Sequence, residues 1–231
     1  MKRQFDPAEP ELMDRPQPVS LALQRDLQNL RHLNYFFGGY GLVRRFLQRW
    51  IKPSPVRPWR IADLATGSGD IPRLAVDYAR SLGAPLAIDA LDQQAATLEI
   101  ARRLSVGYPE ITYAQANVLE WQTANLYDIV LCSLTLHHFS EEDAVRLLQR
   151  ARSLSTKFVL ISDLRRTVLA KAGIYLLTAL VFREPMTRYD ARVSVARAFS
   201  FEELGRLARR AGWKNFRLGK FPFARQAVWL E

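Results

Sequence analysis

The chain has 231 residues, 48% of them hydrophobic, enough to bury a sizeable core in one domain plus a cap. Its net charge of +10 comes from 27 arginines and 6 lysines against 23 acids, spread along helical stretches, which disfavours a nucleic-acid module. The single cysteine, Cys132, excludes an internal disulfide and, lying in an apolar run, reads as a small core residue.

Residues 1–20 mix acids, arginines and prolines without the continuous apolar stretch of a signal peptide. They are expected to form a mobile arm on a cytoplasmic protein. Residues 21–34 and 41–51 place apolar side chains at helical spacing and predict an N-terminal helical cap over 21–55. A proline-rich joint at 52–58 separates it from a core over 56–231.

The core opens with an apolar strand near 59–64 that ends on Asp63. A turn holding Gly67 and Gly69 follows, then a helix over 70–82 with Asp70 as its N-cap. The two glycines allow positive φ and close approach of backbone to a ligand. A dinucleotide site wants a third glycine where Pro72 stands, and the Asp70 carboxylate at the helix start repels a pyrophosphate. A cofactor with a cationic centre and no phosphate fits better, and S-adenosylmethionine is the one expected.

A second strand near 86–91 ends at Asp92 and leads into a helix over 93–105. Asp92 is placed to accept hydrogen bonds from a ribose diol, to cap the helix, or to do both. Strands follow near 111–115, 127–132 and 157–162, with a helix over 140–154 between the last two. Ser200 and Glu203 form a capping box for a helix over 201–212. Strands near 214–219 and 225–230, joined through Pro222, predict a closing antiparallel hairpin. Alternating strand and helix predicts an α/β fold: a three-layer Rossmann-like sandwich with a seven-stranded, mostly parallel sheet.

These segments resemble the class I S-adenosylmethionine-dependent methyltransferases, from about Trp59 to the C-terminus. Residues 63–69 are similar to the family's first motif, Leu91–Asp92 with Ala101–Arg102 to the second, and 116–119 to the adenine-contacting turn. Residues 127–139 and 157–163 resemble the fourth- and fifth-strand motifs. The resemblance implies a cofactor held by Asp63, Ala65, Thr66, Gly67, Gly69, Asp92, Gln93, Asn117, Val118, Ser133 and His138. Two departures stand out: Ala65 replaces the first motif glycine, and Asn117 replaces the acid that often meets the adenine amino group.

Chemistry is expected where the fourth and fifth strands end. His137 suits proton removal from an acceptor hydroxyl, and Asp163 suits orienting its ring. The alternative is that the His137–His138 pair is structural, with one ring packing under the cofactor. Residues 165–199 are an insertion where this family builds its acceptor lid, so Arg165, Arg166, Tyr175 and Tyr189 are candidate acceptor contacts. Its apolar half, 168–182, is too short for a bilayer span and reads as a lid, a homodimer face or a membrane-surface contact. The resemblance implies a small aromatic or polyketide-like acceptor from secondary-metabolite or quinone-type chemistry, and no metal ion is expected. Two other readings stay open: an RNA methyltransferase using the basic surface, and a cofactor-binding partner subunit that catalyses nothing.

Overall fold

The computed structural model describes residues 2–53, 57–182 and 184–231. Positions 54–56 of the expected joint, and the cap–core boundary placed there, lie outside the described residues.

Seven strands build one sheet: β1 (Trp59–Leu64), β2 (Leu86–Asp92), β3 (Ile111–Gln115), β4 (Tyr127–Ser133), β5 (Ser155–Leu164), β6 (Arg217–Phe221) and β7 (Arg225–Leu230). Their order is β3-β2-β1-β4-β5-β7-β6. The ladders from β3 to β5 are parallel, and β7 runs antiparallel to both β5 and β6. The helices are α1 (Leu21–Phe36), α2 (Gly39–Trp50), α3 (Asp70–Ser81), α4 (Ala95–Leu104), α5 (Glu141–Leu154), α6 (Val168–Leu180), α7 (Pro185–Arg197) and α8 (Phe201–Arg210). The expected sandwich with its closing hairpin is the observed fold.

Strand β4 is covered on both faces, which is why its residues 129–132 are continuously apolar. On one face α2 and α3 bury Leu47, Trp50, Ile71 and Val76 against Ile129 and Leu131. On the other, α5 and α8 bury Leu147, Leu148, Leu204 and Leu207 against Val130 and Cys132. The sheet order reverses between β1 and β4, so the chain leaves these strands in opposite directions. A crevice opens at their carboxyl ends.

Local differences from the sequence expectations have local causes. Gly38 takes φ +75°, so α1 ends at Phe36 and α2 starts at Gly39. Gly69, at φ +73°, occupies the N-cap position of α3, and Asp70 is its first helical residue. The Asp70 carboxylate accepts the Tyr40 hydroxyl at 2.7 Å and the Ser68 hydroxyl at 3.0 Å. Asn215 at φ +57° interrupts extended backbone, so β6 begins at Arg217 and not at 214. The β6–β7 turn carries positive φ at Phe223 and Ala224, the pattern of a tight hairpin turn usually filled by glycine or asparagine.

Residues 1–20 are expected as a mobile arm; in the structure, residues 3–14 make hydrogen bonds to the protein body. Arg3 donates to the carbonyls of His137 at 3.0 Å and Phe139 at 2.7 Å, with its guanidinium 3.7 Å from the Phe199 ring centre. The Asp190 carboxylate of α7 accepts the backbone N–H groups of Leu12 at 2.6 Å and Met13 at 3.0 Å. Glu11 is buried.

Candidate active site

A cavity of about 1380 Å³ lies over the carboxyl ends of β1, β2, β4 and β5. One end is built by the glycine turn. Gly67 has φ +55°, and a Cβ added there meets nothing within 4 Å, so the backbone is open to a ligand. Gly69 is the packed one: a Cβ there would lie 2.0 Å from the Tyr113 hydroxyl. Ala65, where the resemblance expects glycine, also sits in the left-handed region at φ +57°.

Asp92, at the end of β2, accepts the Gly67 N–H through Oδ2 at 2.8 Å and the Gln94 N–H through Oδ1 at 2.9 Å. It therefore ties the glycine turn to the start of α4, and each oxygen keeps a lone pair toward the cavity. Burial raises its pKa, against the two backbone N–H groups. Asp63 is buried on β1, and its Oδ2 has no hydrogen-bond partner. Burial, with Asp70 and Asp92 adding, pushes its pKa up to about 7. A cationic ligand would relieve this. Thr66, Gln93, Val118, Ser133 and His138 line the same cavity, and so does Asn117. The Asn117 side-chain carbonyl accepts the Leu119 N–H at 3.0 Å, leaving one lone pair for an adenine amino group. An orphaned acid, an open glycine backbone and a diol-type acid fit S-adenosylmethionine.

The chemical end is formed by the turn after β4 and by β5. His137 and His138 sit on a short 3₁₀ turn, Leu136–His138, with ring centres 4.3 Å apart. The His137 Nδ1 lies 2.6 Å from Asp163 Oδ1, and the His137 backbone N–H donates to Asp163 Oδ2 at 2.9 Å. The expected pair is thus brought together. Burial lowers the His137 pKa, but Asp163 outweighs it and the net shift is upward. His138 is held the same way by a residue the sequence reading missed, with Nδ1 2.6 Å from Asp14 Oδ2. Burial again opposes protonation, yet Glu11 and Asp14 carry the His138 pKa up to about 10. Glu11 lies 3.6 Å from His137 Nε2 and 3.7 Å from His138 Nε2.

The acceptor candidates are redistributed. Arg165 lines the cavity, with its Nε buried and unpartnered. Arg166 turns away: it forks onto Glu203 at 2.7 and 2.9 Å and donates to the Ala198 carbonyl, tying β5 to α8. Tyr175 and Tyr189 face a separate shallow hollow, where Arg192 stacks 4.6 Å over Tyr175. Leu169, Gly173, Leu177 and Leu180 of α6 face the cavity instead. A helix apolar on nearly every side gives no sequence signal for which side turns inward. The structure adds Arg225, buried at the start of β7 and lining the cavity. Its Nε donates to the Phe37 carbonyl at 3.1 Å, and its Nη1 has no partner. An arginine heading a strand that runs apolar from Ala227 to Leu230 was the available signal.

Residues 61–157 match a family model described as a methyltransferase domain. No curated protein sequence matches the chain at a significant level. Among solved structures, the plantazolicin methyltransferase BpumL in complex with SAH aligns with TM-score 0.65 and 13% identity, covering 92% of this chain and 91% of that one. A Nostoc punctiforme protein provisionally classed as an O-methyltransferase aligns with TM-score 0.62 and 16% identity over 88% of this chain. The chain spans 58% of that protein's length. The CMeT domain of the citrinin polyketide synthase gives TM-score 0.59 and 13% identity, covering 77% of this chain and 47% of that one.

Proposed function

Because residues 61–157 match a methyltransferase-domain model, we propose that the chain is an S-adenosylmethionine-dependent methyltransferase that methylates an oxygen of a small aromatic or polyketide-like acceptor, with His137 and Asp163 as its base pair. The observation that carries this reading is continuity. The glycine turn, Asp92, the His137–Asp163 pair and the apolar face of α6 line one cavity. When bound, the cofactor supplies an electrophilic methyl group on a sulfonium centre. The protein's part is to hold the acceptor in line and to take its proton.

Asp63 offers a carboxylate to the cofactor's cationic groups, and Asp92 offers its remaining lone pairs to the ribose. Asp163 accepts from His137 Nδ1 and so leaves the Nε2 lone pair available as base. Leu169, Leu177 and Leu180 cover an apolar acceptor as a lid. Arg225 and Arg165 present unpartnered guanidinium nitrogens to an acceptor carboxylate or enolate. The structural relative from a citrinin polyketide synthase accords with a polyketide-like acceptor.

The test is transfer of a deuterated methyl group from S-adenosylmethionine to a panel of naphthols, hydroxybenzoates and hydroxylated polyketide aromatics, read by mass spectrometry. Label on a phenolic or enolic oxygen is the expected result. Label on carbon, or on added RNA in place of the small acceptors, would sink the oxygen reading.

A further inference from the structure

We propose that Glu11, His137 and His138 form a binding site for one divalent transition-metal ion, Zn²⁺ or a first-row neighbour. Their donor atoms, a carboxylate oxygen and two imidazole nitrogens, lie within 4.8 Å of one another. Glu11 Oε1 is 3.6 Å from His137 Nε2 and 3.7 Å from His138 Nε2. Both gaps are too long for hydrogen bonds, so Glu11 faces the two ring nitrogens without a direct bond to either. Around a tetrahedral ion with bonds of ~2.0–2.1 Å, donors sit about 3.3 Å apart, so the Glu11 oxygen stands within a few tenths of an ångström of that spacing from each ring nitrogen.

Three further observations point to an ion. The His137 side chain is 3% exposed, and its Nε2 is buried without a partner. Each ring is backed by a carboxylate 2.6 Å from Nδ1, Asp163 for His137 and Asp14 for His138. That is the outer-sphere arrangement that fixes the tautomer and aims Nε2 at a metal. The Ser194 hydroxyl donates to Glu11 Oε1 at 2.7 Å and steadies the third ligand.

Two histidines and one carboxylate suit zinc, iron(II), cobalt(II) or nickel(II) better than magnesium, which prefers oxygen donors and keeps its waters. Three protein ligands leave at least one coordination position for water or an acceptor oxygen. The site stands on ligand geometry and not on the methyl-transfer reading. An ion on His137 Nε2 takes the lone pair assigned there to the base, so ion binding and direct proton uptake exclude each other at that atom.

The experiment uses the full chain stripped by chelator and dialysed. Zn²⁺ is titrated by calorimetry, Co²⁺ by its visible absorption, and SAH binding is measured on the same samples. One ion per chain is expected. Glu11→Gln should weaken Zn²⁺ at least tenfold, and Asp14→Asn, which keeps the ligands, should weaken it by about 10–100-fold. SAH affinity should hold in both. Substoichiometric Zn²⁺, or wild-type affinity in folded Glu11→Gln, overturns the metal site and leaves the methyltransferase reading untouched. If Glu11→Gln unfolds, Asp14→Asn decides: unchanged Zn²⁺ affinity there overturns the site. Loss of SAH binding with Zn²⁺ binding retained counts against the cofactor site alone.

Discussion

Asp163 grips His137 twice, its Oδ1 2.6 Å from the ring Nδ1 and its Oδ2 accepting the His137 backbone N–H at 2.9 Å. One carboxylate thus fixes both the tautomer and the placement of the turn that carries the ring. His137→Ala is expected to lower turnover by about 10²–10⁴-fold with SAH affinity nearly intact. Asp163→Asn should give a similar or smaller loss, seen in kcat more than in KM, because the amide holds the turn without stabilising the imidazolium. Steady-state kinetics on the acceptor found by label transfer, beside calorimetry with SAH, checks both. Wild-type kcat in His137→Ala would end the base proposal.

Asp92 links two backbone N–H groups and faces the cavity. Asp92→Ala should cost about 1.5–3 kcal/mol of SAH affinity, through bonds to the ribose that an ionised acceptor makes strong. Asp92→Asn should lose less, since its carbonyl still accepts from Gly67 or Gln94. Calorimetry on the two variants separates a ribose contact from a helix cap; equal affinity in Asp92→Ala and wild type would leave the cap role only.

Asp63 carries a pH signature. Its folded pKa of about 7 lies above the ordinary aspartate value of 3.8. Between these two values the folded protein holds a proton that the unfolded chain releases. The contribution to stability is greatest below 3.8 and is lost as pH rises through about 7. Thermal unfolding of the empty protein should therefore show Asp63→Asn less sensitive than wild type across that window. S-adenosylmethionine, a cation, should pull the Asp63 pKa down on binding and release a proton near neutral pH. Calorimetry in buffers of differing ionisation enthalpy would reveal it, and no buffer dependence beyond that of Asp63→Asn would refute it.

Ala65 holds φ +57° in the turn where the family resemblance expects glycine. A left-handed alanine costs roughly 1–2 kcal/mol, partly offset by the lower entropy of the unfolded alanine chain. Ala65→Gly should accordingly stabilise the protein by about 0.5–1 kcal/mol in urea unfolding, with SAH affinity kept. A destabilised Ala65→Gly protein would show that the methyl group packs usefully despite the strain.

The parts of the site that were legible in the sequence are those written in one contiguous stretch. Asp63 lies near the end of one strand with Gly67 and Gly69 just after it, Asp92 ends another, His137 follows a third and Asp163 lies near the end of the strand beside it, so topology alone brings them together. The N-terminal contribution was illegible because polar residues on a proline-rich segment look solvated until their partners are known. Asp14 meets His138 across 124 positions, and Leu12 meets Asp190 across 178. Arg165 and Arg166 are neighbours with opposite fates, decided by where β5 meets Glu203 of α8. No pattern within residues 165–166 distinguishes them.

The docking of residues 3–14 also sets an order of events during synthesis. This segment leaves the ribosome long before its anchors, Asp190, Ser194 and Arg197, are translated. The sheet from β1 to β5 can assemble while the N-terminus waits. The pocket floor around His137 and His138 is finished only after α7 has emerged. A nascent chain stalled before α7 should therefore recruit SAH to its glycine turn yet leave both histidines accessible to water.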